Sequence, residues 1–121
     1  EMVSFPDIII AGDFNIAPQD IDCHDPEGWK NNILVSPKER EAFQNIIDLG
    51  LSDNFRAINP SEIQYSWWDY RMAGFRRNLG MRIDHILTNK NITDKTTNSI
   101  IDKEPRKSER PSDHTPVIIE F

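Results

Sequence analysis

The chain has 121 residues, 37% of them hydrophobic, and its 14 basic and 20 acidic residues leave a net charge of −6. That composition describes one globular domain, excludes a disordered chain and, taken alone, argues against a nucleic-acid partner. The single cysteine, Cys23, excludes an internal disulfide, and no apolar run approaches the roughly 18 residues of a membrane span, so no membrane partner is expected.

Val3 to Ala11 reads as a strand with Ile8, Ile9 and Ile10 as a buried core, ended by Gly12. Asp13 to Asn32 is polar, with Pro18, Pro26 and Gly28, and predicts a long ordered loop. A helix follows over Pro37–Leu49. Ser36 is its N-cap, Pro37 takes the first helical position and Glu39 completes a capping box. Ala42, Phe43, Ile46, Ile47 and Leu49 form its apolar face, and Gly50 stops it. Leu51 to Pro60 reads as a short connection and Tyr65 to Tyr70 as an aromatic strand. Arg71 to Gly80 is a basic loop. Met81 to Thr88 alternates, with Met81, Ile83, His85 and Leu87 on one face and Arg82, Asp84, Ile86 and Thr88 on the other. Asn91 to Ile101 predicts a weak strand, Lys103 to Arg110 a charged loop, and Pro116 to Phe121 a closing strand. The strands Val3–Ala11, Tyr65–Tyr70, Met81–Thr88 and Pro116–Phe121 can form a single sheet covered on one face by the helix.

The local charge runs against the net charge. Arg71, Arg76, Arg77 and Arg82 lie in a stretch with no acid, which reads either as a basic surface or as a solvated loop.

Three acidic motifs sit at strand ends. In "IIIAGDFN", Asp13 and Asn15 fall just past a strand, where functional loops are carried by rigid elements; an Asp/Asn turn is the plainer account. In "MRIDHIL", Asp84 is a mid-strand carboxylate that needs a partner if buried, either Arg82 or a histidine. His85 points to the other face and reads as a packed or surface histidine. In "SDHTPV", neighbouring extended residues point apart, so Asp113 and His114 do not pair with each other. Asp84 is the better partner for His114, which leaves Asp113 to face a metal or substrate. Three carboxylates, one amide and one imidazole suggest metal-assisted hydrolysis of a phosphate ester. The oxygen donors suit Mg²⁺ or Mn²⁺ rather than zinc.

"GDFNIAPQDID", "SPKEREAFQNIIDLGL", "YSWWDYR", "GMRIDHIL" and "SDHTPV" together resemble the endonuclease/exonuclease/phosphatase superfamily, and within it the C-terminal half of the exonuclease III-type AP endonucleases. The resemblance implies an α+β fold, the C-terminal half of a DNase I-like four-layer α/β-sandwich with a mainly antiparallel sheet. Residues 1–121 are then half of one domain whose N-terminal half, with a metal-binding glutamate, is absent. It implies a cytoplasmic DNA-repair hydrolase that cuts DNA 5′ to abasic sites and digests 3′ ends of duplex DNA with Mg²⁺ or Mn²⁺.

Roles follow by position. Asp13 resembles the residue that activates water, Asn15 the phosphate holder, His114 the histidine on the scissile phosphate and Asp84 its orienter. Asp13, Asn15 and Asp113 match positions at or near the metal. Asn32, Trp68, Met81 and Ile83 match substrate contacts, joined by Arg76 and Arg77 from the basic loop, while Trp67 goes to the core. The resemblance also implies weak activity for the half alone, and self-association through an uncovered sheet face. Two rivals remain: a phosphatase of the same superfamily, and a non-catalytic DNA-binding or half-domain module.

Overall fold

The computed structural model describes residues 7–29, 34–68, 74–107 and 112–121. Its centre is a three-stranded antiparallel sheet. Strand β5 (Asp84–Asn89) lies in the middle, with β1 (Ile9–Asp13) on one side and β2 (Leu51–Asp53) on the other. The register pairs Ile9 with Thr88 and ends by pairing Asp13 with Asp84. Two further ribbons are β3 (Trp67–Trp68) with β4 (Gly80–Met81), and β6 (Asn98–Ile101) with β7 (Val117–Glu120). Among the described residues the expected single sheet is three. A bridge between Trp67 and His114, with the Trp68 amide donating to the Asp113 carbonyl at 3.0 Å, lays the chain before β7 alongside β3.

Helix α2 (Pro37–Ile47) starts with the expected Ser36 cap and Pro37, but the Glu39 carboxylate takes the Ser36 hydroxyl and the Leu34 amide rather than the Ser36 amide of a capping box. The Ser36 hydroxyl accepts from the Glu39 amide at 3.3 Å and donates to the Glu39 carboxylate, whose other oxygen accepts from the Leu34 amide at 2.9 Å. Gly50, at φ +106°, turns the chain out of the helix into β2. The apolar face is narrower than expected. Only Phe43 is buried, while Ala42 and Leu49 are exposed.

Other expectations shift. The 13–32 loop contains a 3₁₀ turn at Asp20–Asp22 and a helical turn, α1 (Pro26–Trp29). The 51–60 connection is strand β2 followed by helix α3 (Asn54–Ile58). The weak strand at 91–101 divides into helix α4 (Lys90–Lys95), capped by the Asn89 side chain, and β6. Strand β1 runs through Gly12 to Asp13, later than expected, and its isoleucines are not buried: Ile9 is 45% and Ile10 42% exposed. The reason is position. β1 is an edge strand of this sheet, paired on one side alone, and all five of its residues are exposed.

Burial concentrates on β5 and on the chain around β4. Ala17, Cys23, Val35, Met81 and Ile83 form one apolar cluster, with Trp29, Leu34 and Trp67 against it. Beside it lies a buried ionic group. Arg82, 1% exposed, donates to Asp22 at 2.7 Å and to Asp53 at 2.5 Å, and Arg56 donates to Asp22 at 2.5 Å. The two carboxylates hold the Arg82 guanidinium firmly protonated against the cost of burial, and Arg82 in turn holds Asp53 below the usual carboxylate range. Arg82 is thus a core residue and not part of a basic surface.

Candidate active site

The last register pair of β1 and β5 places Asp13 and Asp84 side by side at one end of the sheet. Asp84 is anchored from behind. The Ser66 hydroxyl oxygen accepts from the amides of Ile83 and Asp84 at 3.0 and 3.1 Å. The Thr115 amide donates to the Ser66 carbonyl at 2.8 Å, which brings the neighbouring His114 over the sheet end. His114 Nδ1 then meets both Asp84 oxygens, at 2.9 and 3.1 Å. An imidazole nitrogen facing a carboxylate carries the proton, so Nδ1–H donates and Nε2 turns outward. Nε2 lies 3.6 Å from the Asp13 carboxylate and 3.9 Å from that of Asp113.

The electrostatics match this geometry. Burial pushes the Asp84 carboxyl up, although His114 and Ser66 pull against it. Burial alone would lower the His114 imidazole. The Asp84 hydrogen bond, then the charges of Asp84, Asp13 and Asp113, raise it above its ordinary value. The arrangement combines a half-exposed carboxylate with an imidazole biased toward its charged form. Such a pair can orient a water and meet charge developing on a phosphate.

The profile of the Endonuclease/Exonuclease/phosphatase family matches residues 5–114. The chain belongs to this family. It is 40% identical over 121 residues to exodeoxyribonuclease III of Haemophilus influenzae, covering 94% of this chain and 45% of that protein. Among solved structures it is similar to a 3′-5′ exonuclease from Neisseria meningitidis, at 50% identity and a TM-score of 0.93, covering 95% of this chain and 45% of that one. A Neisseria protein described as a 3′ phosphatase, solved bound to a product DNA hairpin, gives 49% identity and the same TM-score and coverage. An AP endonuclease from Archaeoglobus fulgidus follows at 36% identity and a TM-score of 0.89, again covering 95% of this chain and 45% of that one. The chain thus spans a little under half the length of these relatives.

Within this family member, the structure gathers some expected site residues and separates others. Asp13, Asp84 and His114 offer ligand atoms within 4.8 Å of one another. Asn15 stands exposed beside them in the left-handed region, φ +54°, its backbone N–H donating to the Asp13 carboxylate at 2.9 Å. Asp113 is less free than expected, because one of its oxygens accepts from Trp67 Nε1 at 3.1 Å. Oxygen donors with exposure, Asp13 and Asn15 first among them, fit a hard divalent cation. The Asp84 carboxylate and His114 Nδ1 are already engaged with each other.

Arg76 and Arg77 are exposed on the 74–78 turn, and Asn32 lies outside the described residues. Trp68 is a correction. It is fully buried, its Nε1 donates to Asn78 at 3.1 Å and its ring meets Phe75 edge-on at 5.0 Å, so it is core. Trp67, assigned to the core, does pack against the apolar cluster and also donates its Nε1–H to Asp113. Met81 and Ile83 are likewise buried in the apolar cluster and present no surface to a substrate. Ser66 and Trp67 were missed as individual site residues. Both lie in "YSWWDYR", where the signal was a serine at a strand start and the parity of two adjacent tryptophans.

Proposed function

We propose that this chain carries part of the active site of a metal-dependent DNA-repair phosphodiesterase of the exonuclease III type. The observation that carries the reading is the Asp84–His114 pair aimed at Asp13 across the sheet end. In this reading Asp13 orients or deprotonates the attacking water. His114, fixed by Asp84, presents Nε2–H to a non-bridging phosphate oxygen as negative charge builds there. Asn15 holds the phosphate by its exposed amide. Asp13 and Asn15, with Asp113 nearby, would hold a divalent cation, Mg²⁺ or Mn²⁺, which supplies positive charge against the phosphate when bound. Trp67 borders the site through its bond to Asp113, and Arg76 and Arg77 meet the DNA backbone. Base identity then matters little, because the contacts fall on backbone.

Residues 1–121 are read as the C-terminal half of the family domain, its coverage of relatives near 45% supporting this. The partner implied is the other half of the fold, laid over the bare strand β1. Duplex DNA, with abasic sites or 3′ ends, is the substrate class. The stronger likeness to the Neisseria 3′-5′ exonuclease than to the archaeal AP endonuclease favours a second reading, in which 3′-end processing dominates over internal cutting.

One comparison tests both. The full-length protein in Mg²⁺ is given a duplex with an internal abasic site and a duplex with a recessed 3′ end. Cleavage of either supports the phosphodiesterase reading, and their ratio decides the branch. Cleavage of neither, with release of phosphate from small phosphorylated lipids or sugars, would overturn it.

A further inference from the structure

His85 follows Asp84 on β5 and faces the opposite side of the sheet, where it is 1% exposed. The site as described does not use it. Its ring packs edge-on against both Phe14 and Phe43, with centroids at 5.7 and 5.0 Å, a setting that an apolar side chain would fill at lower desolvation cost. Instead both ring nitrogens are engaged. Arg82 can only donate, so Nδ1 accepts from it at 3.1 Å. The Ile16 carbonyl can only accept, so Nε2–H donates to it at 2.7 Å. The tautomer is thereby fixed. The imidazole ties the buried Arg82–Asp22–Asp53 group to the backbone one residue beyond Asn15.

That backbone needs holding. Asn15 adopts φ +54°, a conformation that costs a side-chain-bearing residue energy unless its surroundings enforce it. Among the described residues the loop backbone is held from outside at four points, one of them the Ala17 carbonyl, which accepts from Arg40 Nε at 2.9 Å. The Phe14 amide donates to Ile83 at 3.0 Å, the Ala17 amide donates to Leu34 at 2.7 Å, and the Ile16 carbonyl between them accepts from His85. Two of the four come from side chains, Arg40 at Ala17 and His85 at Ile16, and the His85 bond is the one nearer Asn15.

We infer that His85 is a positioning residue that sets the 13–17 loop, and with it Asp13 and Asn15, against the Asp84–His114 pair. Two adjacent residues of one strand then register the two halves of the site, Asp84 from the front and His85 from behind. The catalytic part of this inference rests on the phosphodiesterase reading; the structural part does not.

The test uses three variants of the full-length protein. His85→Phe keeps the ring contacts and loses both hydrogen bonds. His85→Gln can place an amide N–H near the Nε2 position and reach Ile16. His85→Asn falls short of it. Each is read by steady-state kinetics and by amide hydrogen exchange. For His85→Phe and His85→Asn we expect a kcat lower by roughly 10- to 100-fold, the scale of an ångström-sized misplacement, with KM within about twofold. Exchange should quicken at residues 14–17 but not along β5. His85→Gln should recover most of the loss. An unchanged kcat in His85→Phe, or exchange that quickens throughout β5, overturns the inference, and so does a glutamine variant as poor as asparagine. Should His85→Phe not fold, the Gln–Asn comparison carries the same decision. Should the wild type cleave no phosphodiester, the functional reading falls, while exchange at residues 14–17 still decides the role of His85.

Discussion

Arg82, His85 and Asp53 form the part of the core where charge rather than apolar contact governs stability. Removing one member of a buried ion pair leaves the other uncompensated, which costs about 3–5 kcal/mol. Arg82→Met should therefore lower unfolding free energy by about that amount, measured by urea denaturation, a large share of the roughly 5–15 kcal/mol of a typical domain. A loss below about 1 kcal/mol would show that Asp22 and Asp53 find other partners, with Arg56 the nearest for Asp22. Acid should act on the same group. Burial, and then the Arg82 charge, push the His85 imidazole down to about 4, whereas in the unfolded chain it titrates near its ordinary value, ~6.5. Between those values the unfolded chain takes up a proton that the folded chain refuses, so this contribution falls as pH drops from 6.5 to 4. Asp53, held low by Arg82, adds loss in the same direction at still lower pH. The raised Asp84 and His114 work the other way. The clean measurement is therefore the difference in urea midpoint between wild type and His85→Gln at pH 7 and pH 4.5. The gap should shift in favour of the glutamine protein at pH 4.5; a gap independent of pH contradicts a buried neutral His85.

At the scale of elements, legibility depended on whether the deciding contacts were local. Helix α2 was readable because Ser36, Pro37 and Glu39 act within one turn, and the Asp84–His114 pairing followed from strand alternation. Which of the two tryptophans reaches Asp113 was not legible, because a two-residue strand offers no periodicity from which to fix parity, and a one-residue slip sends every side chain to the other face. Met81 and Ile83 lay on a predicted face that the fold buries on both sides. Helices α3 and α4 have only five and six residues, too few to be stable except through tertiary packing, so nothing local announced them. Arg82 looked like surface charge because its acids lie 60 and 29 residues away. Among the described residues of the 71–82 stretch, Arg76 and Arg77 are the arginines that stand exposed, on the 74–78 turn, and the proposal assigns the DNA backbone to them. Neutralising Arg76 and Arg77 together should weaken DNA binding and reduce its salt slope by about one to two units, measured by binding across a salt series. An unchanged slope assigns both to a solvated loop.

At the scale of the whole molecule, large apolar side chains are exposed in several places, Leu49 most of all and Ile63 among them. Ile9, Ile10, Ile100, Ile118 and Phe121 are all exposed large apolar side chains, carried by β1, β6, β7 and the chain end. Relatives of this family are more than twice as long as the chain's match to them, and the proposal assigns β1 to their remaining half. The 121-residue chain on its own should self-associate or unfold readily, shown by sedimentation as species above 14.1 kDa or by a low thermal midpoint. A stable monomer would show that these isoleucines do not need a partner. The central claim is that Asp13, Asp84 and His114 act together on a phosphodiester. It is met most directly by single-turnover cleavage of a recessed 3′ end and of an abasic duplex in Mg²⁺, comparing full-length wild type with His114→Ala and with DNA affinity measured alongside. The account predicts a rate lower by roughly 10²-fold or more with affinity little changed, the loss of charge stabilisation in the transition state. Cleavage of both substrates by His114→Ala at the wild-type rate would contradict it.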